Sequence, residues 1–300
     1  MVKERVFVVG GGTMGRGIAG LCAISGYATP LYEADAALLE TLRSSIEGSW
    51  ERAAARGKLD PATLSSARQR LSIAGGLQEA AAAEIIVEAI PESLALKQSL
   101  FADLDRLCSP HALLASNTSS LSIAAIAATT KRPDRVVGIH FFNPVASMPL
   151  VEIVRSGATS EESVERAAAF AESLGKKTVR VSDSPGFATS RLGVALGLEA
   201  MRMVEEGVAA PEDIDRAMEL GYGHRMGPLK TSDLVGLDVR LSIAETLAAG
   251  LDPVRFEPPA LLRRMVSEGR TGKKAGKGFY RWEGDTPVSL RDSLTAKEEP

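Results

Sequence analysis

The feature that most constrains the fold is a glycine-rich loop that directly follows the first apolar segment. The segment RVFVV at residues 5–9 is rich in β-branched residues, and GGGTMGRG follows it without a break. An apolar stretch to about Ser25 then predicts a helix, and ATPLYE after it predicts a second strand. A strand, a glycine loop, a helix and a strand in this order are typical of a doubly wound α/β sheet.

The glycine loop fits the G-x-G-x-x-G pattern through Gly10, Gly12 and Gly15. We expect Gly10 to make the tight turn, Gly12 to let a pyrophosphate approach the backbone, and Gly15 to let the helix pack closely on the strand. Glu33 ends the second strand, where a carboxylate accepts hydrogen bonds from ribose hydroxyls and repels a 2′-phosphate. NAD is therefore favoured over NADP, although the same fingerprint is also compatible with a flavin.

The alternation of strands and helices continues to about residue 184. Helical patterns cover residues 36–70 (broken near Gly57 and Pro61), 94–107 and 161–177, and strand patterns cover 83–90, 112–117, 135–142, 150–156 and 178–183. We therefore predict a Rossmann-like, doubly wound, mostly parallel sheet in residues 1–184. Helical runs dominate after the SDSPGF turn, so residues 185–300 are expected to form an all-helical domain.

Composition argues against several classes of function. Lys and Arg total 35 against 38 for Asp and Glu, and a net charge of −3 is unusual for a protein that binds nucleic acid. No stretch approaches the roughly 20 apolar residues of a membrane helix. Cys22 and Cys108 are too few for a disulfide framework, which favours a reducing, cytoplasmic location. His111, His140 and His224 lie far apart, so no metal site is expected.

Motifs along the whole chain resemble those of short-chain L-3-hydroxyacyl-CoA dehydrogenases, most closely the bacterial 3-hydroxybutyryl-CoA type. They are GGGTMGRGIA, VEAIPESLALKQSLFADLD, SNTSSL, HFFNPV, LVEIV, MGPLKTSDLVGLD and GKKAGKGFY, in order from about Val6 to Tyr280. The resemblance implies an NAD-binding domain in residues 1–184 and a helical domain in residues 185–300 that contributes to the substrate cleft and forms a homodimer. It also implies NAD-dependent oxidation of an L-3-hydroxyacyl-CoA, such as 3-hydroxybutanoyl-CoA, in fatty-acid oxidation or butanoate metabolism.

The resemblance assigns catalytic roles to four residues. Oxidation of a secondary alcohol needs a base, and His140 in HFFNP takes that role while Glu152, 12 residues later, orients it. Ser119 in SNTSS is expected to bind the substrate oxygen. The family's PGF-x-x-N-R motif reads PGFATSR here, so Ser190 replaces an Asn that contacts the reacting oxygen. Ser190 either makes a shorter version of that contact or caps the start of a helix.

The resemblance also assigns cofactor and CoA contacts. The expected cofactor residues are Gly10, Gly12, Thr13, Met14, Gly15, Glu33, Glu92, Lys97, Ser119 and Asn143. For Glu92 and Lys97, an exposed helix face is the alternative. Ser49 and Arg56 match positions that bind CoA, and their separation of seven residues places them on one helix face, although a solvated helix explains the same pattern.

Two other functions stay open at this point. One is a CoA-independent relative, such as an L-gulonate 3-dehydrogenase of the lambda-crystallin type, although HFFNP favours the CoA branch. The other is a dinucleotide-binding or structural protein without catalytic activity. On that interpretation, the replacement of the family's Asn by Ser190 is the first sign that the active site has been lost. The presence of Ser119, His140, Asn143 and Glu152 together argues against that second possibility.

Overall fold

The computed structural model describes residues 4–290, and the chain divides into two compact units between Ser184 and Pro185. The strands of the first unit are Val6–Val9 (β1), Thr29–Tyr32 (β2), Leu71–Ile73 (β3), Ile85–Glu88 (β4), Leu113–Ser116 (β5), Val136–Phe141 (β6), Leu150–Arg155 (β7) and Lys177–Ser182 (β8). They form one eight-stranded sheet in the order β3-β2-β1-β4-β5-β6-β7-β8. All neighbours are parallel except β6 and β7. The predicted mostly parallel, doubly wound sheet is therefore confirmed.

The helices of this unit are Thr13–Ile24 (α1), Ala36–Ala55 (α2), Pro61–Arg70 (α3), Leu94–Leu107 (α4), Ile123–Ala127 (α5) and Glu161–Ser173 (α6). The stretch predicted as helical over residues 36–70 is α2 and α3. The break between them is stabilised by Asp60, whose Oδ1 accepts the N–H groups of Ala62 and Thr63 at 3.1 and 2.9 Å. The sequence pattern did not predict β3 or α5, which have only three and five residues.

The central strands place polar side chains at one edge of the sheet. Every residue of β1, β4, β5 and β6 is buried, as expected for parallel strands covered on both faces. Glu88 ends β4, Ser116 ends β5 and His140 lies next to the last residue of β6. Because these strands are parallel, the three residues lie along the carboxyl edge, where open α/β sheets bind their ligands.

The second unit is helical, as predicted, with one addition. Its helices are Thr189–Glu205 (α7), Pro211–Tyr222 (α8), Pro228–Val235 (α9), Leu237–Gly250 (α10), Pro253–Phe256 (α11) and Ala260–Ser267 (α12). The addition is an antiparallel pair of three-residue strands, Arg281–Glu283 (β9) and Thr286–Val288 (β10). The prediction of an all-helical domain missed this hairpin, because strands of that length leave no clear alternation in the sequence.

Asp233 links the two late motifs of the sequence inside the second unit. It is fully buried on α9, and it accepts hydrogen bonds from the backbone N–H groups of Phe279 and Tyr280, both at 2.9 Å. The indole Nε1 of Trp282 donates to the same carboxylate at 3.0 Å. One buried side chain thus connects the helical part of this unit to the segment that leads into the hairpin.

Candidate active site

The glycines of the loop between β1 and α1 serve different purposes. Gly10 has a φ of +104°, and a Cβ there would lie 2.5 Å from the carbonyl oxygen of Ala89. A Cβ on Gly15 would lie 1.7 Å from the carbonyl oxygen of Gly10, so α1 packs directly on the loop. A Cβ on Gly12, the N-cap of α1, would meet no atom within 4 Å. The loop is crowded where it turns and open at Gly12.

Thr13 and Met14 begin α1 beside this open position, and Glu33 contacts the loop. Glu33 Oε2 accepts the N–H of Gly11 at 2.5 Å, and its Oε1 accepts the N–H of Asp35 at 2.8 Å. The carboxylate that follows β2 is therefore held against the glycine loop.

The structure brings His140 and Glu152 together across the antiparallel pair of strands. The two residues are direct partners in the register of β6 and β7, and His140 Nδ1 lies 2.8 Å from Glu152 Oε2. Glu152 is fully buried and His140 is 7% exposed. The His140 ring also packs on Phe142, with 4.5 Å between the ring centroids. Packing and the carboxylate together fix the orientation of the imidazole.

Asn117 is a residue of this region that the sequence analysis did not assign. Its Oδ1 accepts the N–H of Phe141 at 2.9 Å, and its own N–H donates to the carbonyl of Glu88. Asn117 thereby ties the ends of β4, β5 and β6 together next to His140. The available signal was its place as the first residue after a buried strand.

Glu92 brings the loop after β4 into contact with SNTSS. One of its carboxylate oxygens, Oε1, accepts hydrogen bonds from Thr118 Oγ1 at 2.6 Å and from the N–H and hydroxyl of Ser119 at 2.9 and 3.3 Å. Burial favours a raised pKa for Glu92, but Lys97 and the hydrogen bonds from Thr118 and Ser119 outweigh it and lower that pKa. Two of the expected site residues, Glu92 and Ser119, are therefore direct neighbours.

Lys97 lies inside the protein and not on an exposed helix face. It is 1% exposed, and its Nζ contacts Glu88 Oε1 at 2.5 Å and Glu92 Oε2 at 3.3 Å. Glu88 is fully buried and also accepts the hydroxyl of Ser116 at 2.6 Å. Glu88 was not predicted as a site residue, although an acid inside the apolar run IIVEAI at residues 85–90 was a visible signal. The alternative of a solvated Lys97 is wrong.

The remaining first-unit candidates are exposed. Asn143 follows β6 as an exposed residue. Ser49 is exposed on α2, and its hydroxyl donates to the carbonyl of Ile46 at 2.7 Å. Arg56 is the exposed C-cap residue of α2 and therefore lies just beyond the helix on which the sequence spacing placed it.

Ser190 is the second residue of α7 and does not cap it. Ala188 is the N-cap residue of that helix. Among residues 4–290, the Ser190 hydroxyl has no hydrogen-bond partner. The capping interpretation of Ser190 is therefore wrong, and the hydroxyl is available to a ligand.

Residues 4–290 offer neither a cluster of metal ligands nor a helix suited to cross a membrane. No group of three or more His, Cys, Asp or Glu side chains within residues 4–290 is arranged to hold a metal ion. Over the same residues, no helix combines the length and apolar character that crossing a membrane requires.

Comparison with known families settles the class of protein. Residues 5–184 match the model of the 3-hydroxyacyl-CoA dehydrogenase NAD binding domain, and residues 186–282 match that of the 3-hydroxyacyl-CoA dehydrogenase C-terminal domain. The chain belongs to the 3-hydroxyacyl-CoA dehydrogenase family. The resemblance inferred from the motifs is thus confirmed, and this family member is an NAD-dependent oxidoreductase.

Relatives match this family member over nearly its whole length. A 3-hydroxybutyryl-CoA dehydrogenase of Mycobacterium tuberculosis is 45% identical over 279 residues, which are 92% of this chain and 98% of the relative. The crystal structure of M. tuberculosis FadB2 is similar with a TM-score of 0.90 at 44% identity, over 94% of this chain and 100% of that one. The (S)-3-hydroxybutyryl-CoA dehydrogenase PaaH1 from Ralstonia eutropha gives a TM-score of 0.89 at 36% identity, over 94% and 100% of the two chains.

Proposed function

We propose that this 3-hydroxyacyl-CoA dehydrogenase oxidises a short-chain L-3-hydroxyacyl-CoA, such as 3-hydroxybutanoyl-CoA, with His140 as the general base. The observation that carries the proposal is the 2.8 Å contact between His140 Nδ1 and Glu152 Oε2 at the carboxyl end of a buried strand. A short acyl chain is supported by two of the relatives, which are named for 3-hydroxybutyryl-CoA.

The loop residues fit NAD. Gly12 offers the open approach that a pyrophosphate needs, while crowding at Gly10 and Gly15 fixes the path of the backbone. Each carboxylate oxygen of Glu33 accepts one backbone N–H, from Gly11 and from Asp35. Each oxygen keeps a second lone pair, and these lone pairs accept hydrogen bonds from the ribose hydroxyls. When bound, NAD supplies the hydride acceptor. The proposed cofactor set also includes Thr13, Met14, Glu92, Lys97, Ser119 and Asn143, with Lys97 acting through Glu92.

The protein's own residues handle the proton and the substrate oxygen. A carboxylate only accepts, so Nδ1 of neutral His140 carries the hydrogen and Nε2 carries the lone pair. Nε2 takes the proton of the substrate hydroxyl, and the buried Glu152 stabilises the imidazolium that forms. The Ser190 hydroxyl donates to the substrate oxygen, and the Ser119 hydroxyl does the same once it turns away from Glu92 Oε1, to which its one hydrogen points at 3.3 Å. Ser49 and Arg56 contact the CoA part, for which an exposed guanidinium is a suitable phosphate ligand.

The assembly and location form a further part of the proposal. We place a homodimer interface on the second unit, where Leu192, Leu220 and Tyr222 are 70%, 80% and 79% exposed. Light scattering after gel filtration should give twice the chain mass, and a monomer would contradict this. A cytoplasmic location is supported by Cys22 and Cys108, both buried thiols.

A parallel substrate assay tests the proposed reaction. NADH oxidation is followed with acetoacetyl-CoA and with free acetoacetate, and NAD reduction is followed with L-gulonate. We expect turnover with the thioester alone. Turnover of L-gulonate or free acetoacetate without turnover of the thioester would favour the CoA-independent alternative instead.

A further inference from the structure

Lys176, between α6 and β8, is a buried cation that is bonded to backbone carbonyls instead of a carboxylate. The residue is 7% exposed, and its Nζ donates to the carbonyl oxygen of Val145 at 2.5 Å and to that of Met148 at 2.8 Å. Within residues 4–290 it forms no ion pair, and burial lowers its pKa. Burial of an ammonium group is costly unless strong hydrogen bonds compensate it, so we expect these two charge-assisted bonds to hold their acceptors firmly.

Both acceptors belong to the segment that joins β6 to β7, residues 142–149, which we call the β6–β7 loop. The carbonyl of Pro144 accepts N–H groups from within this loop, and the carbonyl of Pro149 accepts the N–H of Lys177 at 2.7 Å. Lys176 supplies the donor for two of the carbonyls between them. The path of the loop backbone therefore depends on the ammonium group of one side chain.

The same loop packs on α1, the helix that follows the glycine loop. Val145 is 4% exposed, and a Cβ on Gly17 of α1 would lie 2.8 Å from Val145 Cγ2 and 2.9 Å from Val145 Cβ. The carbonyl of Val145 is thus held by Lys176, while its side chain fits against bare helix backbone. Asn143, which lies two residues before Val145 and is exposed, is thereby held at a fixed place relative to α1.

We propose that Lys176 is a positioning residue, which acts through the β6–β7 loop to place Asn143 against the nicotinamide end of NAD. The inference rests on the proposed function, in which Asn143 contacts the cofactor. The hydride acceptor must lie beside the alcohol from which His140 takes the proton, and Asn143 follows His140 by only three residues. His140 itself is fixed by its pairing with Glu152 across β6 and β7, so loss of the Lys176 contacts acts on the loop and not on the base.

The test compares NADH with ADP-ribose, which keeps the pyrophosphate and the adenosine but lacks the nicotinamide, by titration calorimetry. Lys176→Met should weaken NADH binding by about 3- to 10-fold, as expected for one lost contact, and leave ADP-ribose binding nearly unchanged. The kcat with acetoacetyl-CoA should also fall, because the nicotinamide is no longer held at the reacting carbon. The matched control is Lys177→Met, which removes the exposed charge of the next residue and should change none of these values.

A second variant decides the question if Lys176→Met fails to fold. Gly17→Ala keeps Lys176 but places a methyl group 2.8 Å from Val145 Cγ2, so it displaces the loop from the other side and should cause the same selective loss of NADH binding. Equal losses for NADH and ADP-ribose, or no loss for either, would overturn the proposal. A wild-type enzyme that is inactive on acetoacetyl-CoA, with the selective loss of NADH binding still seen in the variants, would overturn the proposed reaction and support this inference.

Discussion

The glycines of the nucleotide loop respond differently to one added methyl group, which gives a prediction at the scale of single residues. Gly12→Ala should leave the melting temperature unchanged, because the added methyl group meets no atom within 4 Å. It should weaken NADH binding, because the methyl group obstructs the pyrophosphate. Gly15→Ala should lose about 1–3 kcal/mol or more of stability, because its methyl overlaps the carbonyl of Gly10. Thermal melting without cofactor and a fluorescence titration with NADH measure the two effects. Equal melting temperatures for the two variants would contradict this account.

Glu33 gives a second prediction at this scale. Its carboxylate is held at the glycine loop, where it would repel a 2′-phosphate. Glu33→Ala should therefore narrow the preference for NADH over NADPH, measured as the ratio of kcat/KM values, and Glu33→Gln should do so as well because the charge is lost. A wild-type enzyme that uses both cofactors equally would show that the role given to Glu33 is incorrect.

Ser190 gives a third prediction. A hydroxyl that donates to a developing oxyanion contributes about 3 kcal/mol, so Ser190→Ala should lower kcat by about 100-fold. The melting temperature should stay unchanged, since Ala188 and not Ser190 is the N-cap of α7. Ser190→Asn should be tolerated, because Asn is the residue the motif has in other members. Unchanged kinetics with Ser190→Ala would remove Ser190 from the site.

Some residues of the candidate site could be predicted from the sequence, and others could not. His140, Glu152 and Ser119 stood in specific motifs and could be named from them. The Glu88–Lys97 pair could not, because it depends on the packing of α4 beneath the end of β4. Asn117 could not either, because its acceptor role requires the neighbouring strand to be known.

At the scale of elements, the register of β6 and β7 creates the site. The sequence predicted both strands but not their relative direction, because a buried strand gives the same apolar run whichever way it points. The length of the connection was the missed signal. Only residues 142–149 separate the strands, fewer than the dozen or so that a parallel crossover needs. Antiparallel pairing then places His140 directly opposite Glu152.

A prediction at this scale concerns the contact between α9 and the segment before β9. Asp233→Ala leaves three buried donors without an acceptor, so we expect a loss of at least about 3 kcal/mol in the free energy of unfolding, measured with urea. Asp238→Ala on α10 is the control, since Asp238 has an exposed lysine partner and should cost far less.

The cost of Asp233→Ala should also depend on pH. Burial, reinforced by the Asp215 carboxylate, raises the pKa of Asp233 above its ordinary value. A raised pKa in the folded state contributes stability at low pH that is lost as pH rises through that pKa. The difference in unfolding free energy between wild type and Asp233→Ala should therefore be larger below the ordinary Asp pKa of 3.8 than at about pH 7. A difference that grows with pH would contradict the burial argument.

At the scale of the whole molecule, the alternation of strands and helices was sufficient to predict the sheet and the helical second unit. Long elements produce such a pattern, whereas β3, α5 and the hairpin of β9 and β10 are too short to do so. The burial of Arg240, which is 7% exposed on α10, gave no signal, because a buried arginine in a helical stretch has the same sequence as a solvated one. Burial and pairing become visible only when the helices are packed.

The central claim is that Glu152 acts through His140 as one catalytic unit. The most direct test is a double-mutant cycle on kcat with acetoacetyl-CoA, accompanied by NADH affinities. His140→Gln should lower kcat by roughly 10²- to 10⁴-fold while NADH binding is nearly unchanged, and Glu152→Gln should lower it by the same factor or less. The double variant should be no slower than His140→Gln alone, because the carboxylate has no role without the imidazole. Near wild-type turnover of His140→Gln, or losses that simply multiply in the double variant, would contradict the claim.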